Sequence, residues 1–186
     1  GTSGAGKGTR YAEVTYDVDG KRMVLDTAKG AYKIPFDGNR SILEVLIAQV
    51  RGMNTRYGAS MPLDIYTSHF TYDDIRAELK RLGFREKKFL GLFNRGIYTH
   101  PAVGSPAVRV MRIRKTSLFD AATGEFYRNV EPSLPWTEVF WPDAHDTAFI
   151  DFIVSGRAYE CVRDGFRYKF ISNIDNRAAV PDSVIL

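Results

Sequence analysis

The first ten residues of this 186-residue chain are rich in glycine and carry basic and hydroxyl side chains. Four of the ten are glycine, and Lys7, Thr9 and Arg10 stand beside them. Because glycine has no Cβ, such a backbone can approach a phosphate group closely. Lysine adds a point charge and arginine a planar pair of donors, both suited to phosphate oxygens. The segment therefore predicts a phosphate-binding loop, and a further basic residue, Lys29, follows in a second glycine-containing segment.

Two enzyme families have a loop of this composition. Gly1-Thr2-Ser3-Gly4-Ala5-Gly6-Lys7-Gly8-Thr9 resembles the phosphate-binding loop of the nucleoside monophosphate kinases. In those kinases the lysine reaches the outer phosphate oxygens, and the loop opens directly into a helix. Here polar and apolar residues alternate over residues 13–18, and Asp19-Gly20 follows, a dipeptide that favours a β-hairpin turn. The kinase interpretation thus requires a helix where the sequence predicts a hairpin.

The second interpretation takes Gly6-Lys7-Gly8-Thr9-Arg10 as the signature loop of the sugar-phosphate nucleotidyltransferases. Ala28-Lys29-Gly30-Ala31-Tyr32-Lys33-Ile34 resembles the Pro-Lys-Gly-x-Tyr-x-Ile segment of the UTP-dependent sugar-1-phosphate uridylyltransferases, or UDP-sugar pyrophosphorylases. Later segments resemble motifs of the same family in the same order along the chain, at residues 39–44, 61–71, 92–96, 141–146 and 168–176. The resemblance covers nearly the whole chain.

This resemblance implies an α/β fold, a Rossmann-like nucleotidyltransferase domain of the glycosyltransferase-A type with a mixed, mostly parallel sheet. It implies one nucleotide-binding catalytic domain over residues 1–186, incomplete at both ends. The implied reaction joins UTP to a sugar 1-phosphate, with Mg²⁺ as cofactor, and releases pyrophosphate. The residues implied are Arg10 and Lys29 in catalysis, Asp175 at the metal, and Gly4, Ala5, Gly6, Lys7, Gly8, Thr9, Arg95, Ala144 and His145 at the nucleotide.

Several residues depart from the family pattern. Arg95 stands where the family has the glutamine that meets the base, and arginine cannot accept a hydrogen bond from uracil. Ala144 and Asp146 replace family glycines. We interpret the chain as a divergent member with an altered nucleotide or sugar preference. A phosphotransferase like the nucleoside monophosphate kinases and a non-catalytic nucleotide-binding relic are the alternative hypotheses.

Periodicity and capping signals predict the elements that must position these residues. Ser41 and Glu44 form a capping box that opens a helix ending near Gly58, and Thr71 caps a second helix that stops at Gly83. The pattern further predicts strands at residues 62–67, 88–93, 108–114 and 168–174, an extended segment at 30–36, a loop from 94 through 106 and a helix at 147–156. Helices that alternate with strands indicate an α/β domain with a largely parallel sheet.

In such a sheet, ligands bind at the carboxyl ends of the strands. Asp175 follows the last predicted strand, at a position suited to one Mg²⁺ ligand beside phosphate oxygens. We therefore expect the glycine loop, Lys29, Arg95, the loop at residues 144–145 and Asp175 to line one cleft.

The composition narrows the class of protein. Hydrophobic residues make up 44% and charged residues 26%, as in a folded domain. The single cysteine, Cys161, excludes an internal disulfide and a cysteine-based zinc site, which fits a cytoplasmic location. The net charge of +4 is interleaved rather than clustered, so nucleic acid is not an expected partner. The sequence contains no run of 18 apolar residues, so it predicts no membrane-spanning helix. The expected partners are UTP and a sugar 1-phosphate.

Overall fold

In this computed structural model the described residues are 2–3, 15–18, 21–24, 27–34, 37–90, 95–113, 115–117, 119–126, 140–142, 148–174 and 176. Their strands are β1 (Thr2–Ser3), β2 (Thr15–Val18), β3 (Lys21–Val24), β4 (Lys33–Ile34), β5 (Arg40–Ser41), β6 (Leu63–Thr67), β7 (Arg85–Leu90), β8 (Arg95–Thr99), β9 (Val108–Arg112), β10 (Lys115–Ser117), β11 (Phe140–Pro142) and β12 (Ser172–Asn173). Their helices are α1 (Ile42–Tyr57), α2 (Tyr72–Arg81), α3 (Ala148–Val154) and α4 (Arg157–Arg163), with a 3-10 turn at Lys29–Ala31.

A six-stranded sheet with the order β12-β1-β6-β9-β8-β7 forms the centre of the described structure. The strands β12, β1, β6 and β9 run parallel to one another, while β8 and β7 are antiparallel to their neighbours. Three of the five pairings are therefore parallel. The predicted α/β class with a mixed, mostly parallel sheet is confirmed.

The predicted hairpin after the glycine loop is also present. Strands β2 and β3 pair antiparallel, with Val18 opposite Lys21, so two residues connect them. That spacing is the one at which Asp-Gly favours a tight turn whose twist matches the strands. The helix that the kinase interpretation requires over this segment is contradicted by β2.

Helices α1 and α2 pack on one face of the sheet. The Ser41 hydroxyl accepts the Glu44 N–H at 3.0 Å, as the capping box predicts, and Gly58 ends α1 with a φ of +60°. Since strand side chains alternate between faces, every second residue of β6 and β9 joins the core under these helices. Its buried members include Leu43, Ile47, Val50, Leu63, Ile65, Ile75, Leu79, Val108 and Val110.

Helices α3 and α4 cover the other face. A smaller apolar cluster of Tyr66, Met111, Ile113 and Phe152 lies there, with Ala158 and Cys161 packed against it. The outer side of α4 is apolar and exposed, with Tyr159 at 73% and Val162 at 74% exposure. None of the helices in the described part of the chain is both long enough and apolar enough to cross a membrane.

Three segments differ from the expected secondary structure, and one helix was missed. Residues 95–99 form β8 rather than a loop, because this segment pairs on both sides, with β7 and β9. Residues 29–31 form a 3-10 turn, so only the end of the segment at 30–36 is extended. Of residues 168–174, only Ser172–Asn173 is strand. Helix α4 occupies a segment for which no element is predicted.

Thr71 does precede a helix, but its side chain does not cap it. The Thr71 backbone is already in the helical region, with φ −115° and ψ −7°, instead of the extended conformation that a capping side chain needs. Its hydroxyl oxygen instead accepts the Ser68 N–H at 3.1 Å. The Thr71 side chain therefore stabilises the turn between β6 and α2. Gly83, with a φ of +83°, follows the helix as expected.

Candidate functional site at the carboxyl edge of the sheet

The start of the glycine loop and the residue before Asp175 lie on adjacent strands at one edge of the sheet. Ser3 is the last residue of β1 and is opposite Asn173, the last residue of β12. Since these strands are parallel, Gly4 and Asp175 both follow at their carboxyl ends, where open α/β sheets bind ligands. Residues 4–10 and Asp175 themselves lie outside the described residues, so their contacts stay predictions.

The turn that carries Lys29 is wedged between α2 and the end of β12. The Ala28 N–H donates to Asp74 Oδ2 at 2.8 Å, and Ala28 is fully buried. A Cβ on Gly30 would lie 2.6 Å from Ile75 Cδ1 and 2.6 Å from Ile174 Cδ1, so only glycine fits there without movement. Because Ile174 directly precedes Asp175, this contact places the Lys29 turn beside the end of the strand that leads to Asp175.

Arg95 lies in the same row of residues across the sheet. Asn173, Ser3, Tyr66, Met111 and Arg95 are consecutive register partners on β12, β1, β6, β9 and β8. Arg95 is therefore three strands from the beginning of the glycine loop, about 14 Å at ~4.8 Å per strand. The strand before Asp175, by contrast, is directly beside β1, the strand before the glycine loop. The two strand ends that lead to these candidates are therefore adjacent, and Arg95 lies farther along the same edge.

The Arg95 side chain points away from solvent and pairs with Glu160 of α4. Its Nη1 and Nη2 atoms donate to the two carboxylate oxygens at 3.0 Å and 2.5 Å, and the residue is 1% exposed. Burial alone would raise the pKa of the Glu160 carboxyl, but the hydrogen bonds and charge of Arg95 and the charges of Arg157 and Arg109 hold it below its ordinary value. Contact between Arg95 and a base stays a prediction.

A second carboxylate, that of Asp64 on β6, lies close to this pair and is more deeply buried than Glu160. It accepts from Arg157 Nε at 3.2 Å and from Lys169 Nζ at 2.6 Å. Burial alone would raise the pKa of Asp64, but the charges of Lys169 and Arg157 bring it below its ordinary value. Arg157 also donates to Glu160 at 3.3 Å, so it joins the two carboxylates and fixes α4 on the sheet.

Arg109 adds a further positive charge to this cluster. Its Nη1 is 3.8 Å from Asp64 Oδ1, and neither its Nε nor its Nη1 has a hydrogen-bond acceptor among the described residues. Burial and the charge of Arg157 lower its pKa. The sequence analysis missed this cluster. One available signal is a charged residue at the second position of each of two mainly apolar segments, Asp64 and Arg109, which the structure pairs in register.

The remaining site predictions fall beside or outside the described residues. Ala144 and His145 lie outside them, just beyond β11. Among the described residues, no group of three or more His, Cys, Asp or Glu side chains could hold a metal ion. Mg²⁺ needs only one or two protein carboxylates when phosphate supplies the other ligands, so a single aspartate at the edge fits it. Asp175, which follows β12 in the sequence, stays the predicted ligand.

The chain is similar in sequence to known enzymes. No protein-family model matches the chain. It is 26% identical over 147 residues to UTP–glucose-1-phosphate uridylyltransferase 2 of Dictyostelium discoideum, covering 79% of this chain and 25% of that protein. It is 23% identical over 146 residues to the UTP–glucose-1-phosphate uridylyltransferase of Hordeum vulgare, covering 78% of this chain and 26% of that protein. The predicted resemblance to the UTP-dependent sugar-1-phosphate uridylyltransferases is confirmed. The chain spans about a quarter of the length of these relatives.

Solved structures of UDP-glucose pyrophosphorylases share the fold. The Leishmania major enzyme, solved in open and closed forms, matches with a TM-score of 0.66 and 19% identity over 99% of this chain and 32% of its own. A Trypanosoma brucei protein described as a UDP-glucose phosphorylase matches with a TM-score of 0.59 and 15% identity over 84% of this chain and 29% of its own. The chain therefore has a pyrophosphorylase-type nucleotidyltransferase fold.

Proposed function

We propose that this chain is the nucleotide-binding part of a uridylyltransferase that forms a UDP-sugar and pyrophosphate from UTP and a sugar 1-phosphate. The observation that carries the proposal is the meeting, at one sheet edge, of the strand before the glycine loop, the Lys29 turn and the strand before Asp175. The names of the uridylyltransferase relatives supply UTP and glucose 1-phosphate as substrates of those proteins. For this chain we propose UTP and a sugar 1-phosphate without specifying the sugar.

In the proposed reaction an oxygen of the sugar 1-phosphate attacks the α-phosphorus of UTP. The new P–O bond forms as the bond to the β-phosphate breaks, and pyrophosphate leaves with the electron pair. The protein has little covalent chemistry to perform, so positioning and charge neutralisation dominate. The backbone at Gly4, Ala5, Gly6, Gly8 and Thr9 would approach the triphosphate, while Lys7, Arg10 and Lys29 would offset its negative charge.

Mg²⁺ belongs to the proposal as well. Asp175 would hold it together with phosphate oxygens, and the bound ion would neutralise charge on the triphosphate. Lys29 would stabilise the charge that develops on the leaving pyrophosphate, from a turn fixed between α2 and β12.

Ala144 and His145 remain proposed nucleotide contacts. Arg95 can contact the nucleotide in one of two ways. Either its ion pair with Glu160 opens, or its Nε, which has no acceptor among the described residues, donates to the nucleotide. We also propose a cytoplasmic location, on the basis of the single cysteine.

Pyrophosphate release from UTP and glucose 1-phosphate in the presence of Mg²⁺ tests the proposal, with the other nucleoside triphosphates and sugar 1-phosphates as alternative substrates. Lys29→Ala and Asp175→Ala should each lower kcat by about 10²–10³, the usual effect of one electrostatic contact to the transition state. Excess Mg²⁺ should partly restore Asp175→Ala but not Lys29→Ala, because phosphate supplies other ligands to the ion.

Lys80→Ala is the matched control, since Lys80 is an exposed lysine in the last turn of α2 and should not affect turnover. The proposal would be contradicted if the chain released no pyrophosphate and bound UTP equally well with and without the substitutions at Lys29 and Asp175. Phosphate transfer from ATP to a nucleoside monophosphate would instead support the kinase hypothesis. Binding of UTP without turnover, weakened by both substitutions, would support a non-catalytic relic.

A further inference from the structure

The backbone that leads into Lys29 is held by a carboxylate 46 residues away in the sequence. Asp74, in the first turn of α2, accepts the Ala28 N–H at 2.8 Å. The Ala28 carbonyl in turn accepts the Ala31 N–H at 2.9 Å, which closes the 3-10 turn around Lys29. Both polar backbone groups of Ala28 are thus paired, one with α2 and one within the turn. Asp74 therefore sets the position at which the turn begins.

Two features make this hydrogen bond a strong one. Its acceptor is a carboxylate, and hydrogen bonds to ionised groups are roughly twice as strong as neutral ones. Asp74 also lies in the first turn of a ten-residue helix, where the helix dipole stabilises a negative charge. The donor is on a fully buried residue, so water cannot replace the carboxylate without local opening.

The neighbouring side chain of α2 holds the other side of the turn. Ile75 follows Asp74 in sequence, and its Cδ1 would lie 2.6 Å from a Cβ on Gly30. Ile174 Cδ1, on the side of β12, would lie at the same distance from a Cβ on Gly30. The turn is thus fixed on one side by Asp74 and Ile75, and on the other by the residue that precedes Asp175.

We propose that Asp74 is a positioning residue that fixes Lys29 relative to the end of β12, and so relative to the triphosphate that the proposed function binds at this edge of the sheet. The inference rests on the proposed function of Lys29. It assigns no substrate contact to Asp74, which acts through the Ala28 backbone. Displacement of a positioned group by about 1 Å can lower a rate by about 10²-fold, so a single backbone hydrogen bond here has a measurable effect.

Three substitutions in the full chain test the assignment. Asp74→Ala removes the acceptor and should lower kcat for pyrophosphate release about 10- to 100-fold, with a smaller change in the KM for UTP. Asp74→Asn keeps an acceptor oxygen and should restore most of the lost turnover. Asp73→Ala is the matched control, because Asp73 has the same charge in the same helical turn but is exposed and pairs only loosely with Arg76, at 3.7 Å.

A double-mutant cycle separates positioning from general destabilisation. In a Lys29→Ala background, Asp74→Ala should cause no further loss of turnover, because the group that it positions is already absent. If Asp74→Ala lowers turnover by the same factor with and without Lys29, or if Asp73→Ala has an equal effect, the assignment is overturned. Thermal unfolding of each variant identifies any that fails to fold. If Asp74→Ala does not fold, Asp74→Leu, which has a similar shape and no acceptor atom, serves in its place.

Hydrogen exchange of the Ala28 amide tests the hydrogen bond to Asp74 without any measurement of activity. In Asp74→Ala this amide should exchange about 10- to 100-fold faster than in the parent, while Asp73→Ala should leave it unchanged. An unchanged Ala28 exchange rate in Asp74→Ala would overturn the inference. If the parent chain shows neither UTP binding nor turnover, the proposed function fails, and faster exchange at Ala28 would still support the hydrogen bond that fixes the Lys29 turn.

Discussion

Substitution of Gly30 by alanine tests how tightly the Lys29 turn is packed. The new Cβ would lie 2.6 Å from Ile75 Cδ1 and from Ile174 Cδ1, about 1 Å inside ordinary carbon–carbon contact. These isoleucines are 0% and 3% exposed, so neither side chain can swing into solvent. Overpacking of this kind costs about 1–3 kcal/mol, against ~0.4–1 kcal/mol gained because alanine restricts the unfolded chain. We expect a net loss of about 1–2 kcal/mol in the free energy of unfolding.

Urea denaturation of matched variants gives the measurement. Gly52→Ala is the control, because Gly52 is exposed in the interior of α1 and a Cβ there would meet no atom within 4 Å. It should raise the stability by about 0.5–1 kcal/mol, the usual difference between glycine and alanine in a helix. Ile174→Val removes the clashing Cδ1, so the double variant with Gly30→Ala should be more stable than the sum of the single effects.

The same substitution should lower turnover, because relief of the clash displaces either the turn that carries Lys29 or Ile174, the residue that directly precedes Asp175 in the sequence. Equal stability of Gly30→Ala and Gly52→Ala would refute the tight packing of the turn. Additive effects of Gly30→Ala and Ile174→Val would show that the two residues do not touch.

Two further predictions concern the buried charges under α4. Arg157→Met should lower the free energy of unfolding by about 3–5 kcal/mol, because it leaves Asp64 buried with fewer cations. Arg109→Met should change it by less than about 1 kcal/mol, since Nε and Nη1 of Arg109 have no hydrogen-bond acceptor among the described residues. Urea denaturation measures both losses, and equal losses would contradict the expected difference. The folded-state pKa of Asp64 is lowered below its ordinary value of 3.8, so its contribution to stability is fully present above that pH and is lost as the pH falls through the folded-state pKa. Asp64→Asn should therefore flatten the loss of stability below about pH 4, and an acid-unfolding profile identical to that of the parent would exclude Asp64 as its source.

Local signals in the sequence predicted the elements whose conformation depends on neighbouring residues. Asp19-Gly20 predicted the β2–β3 hairpin, because the turn geometry is set by residues that tolerate positive φ. Ser41 and Glu44 predicted the start of α1, because the capping hydrogen bond spans three residues. Motif order along the chain predicted the nucleotidyltransferase fold and the candidate phosphate-binding residues. These features require no knowledge of what packs against them.

The partners of the buried charges required the tertiary structure. Arg157 and Asp64 are 93 residues apart, and Arg95 and Glu160 are 65 apart, so no local pattern connects them. Helix α4 also departs from the usual amphipathic pattern, since Arg157 and Glu160 face the sheet beside its small apolar residues while Tyr159 and Val162 are exposed. Hydrophobic periodicity therefore could not predict this helix or the direction of Arg95. Likewise, Asp74 meets Ala28 only because α2 crosses the Lys29 turn, a contact that the fold creates and the sequence spacing does not reveal.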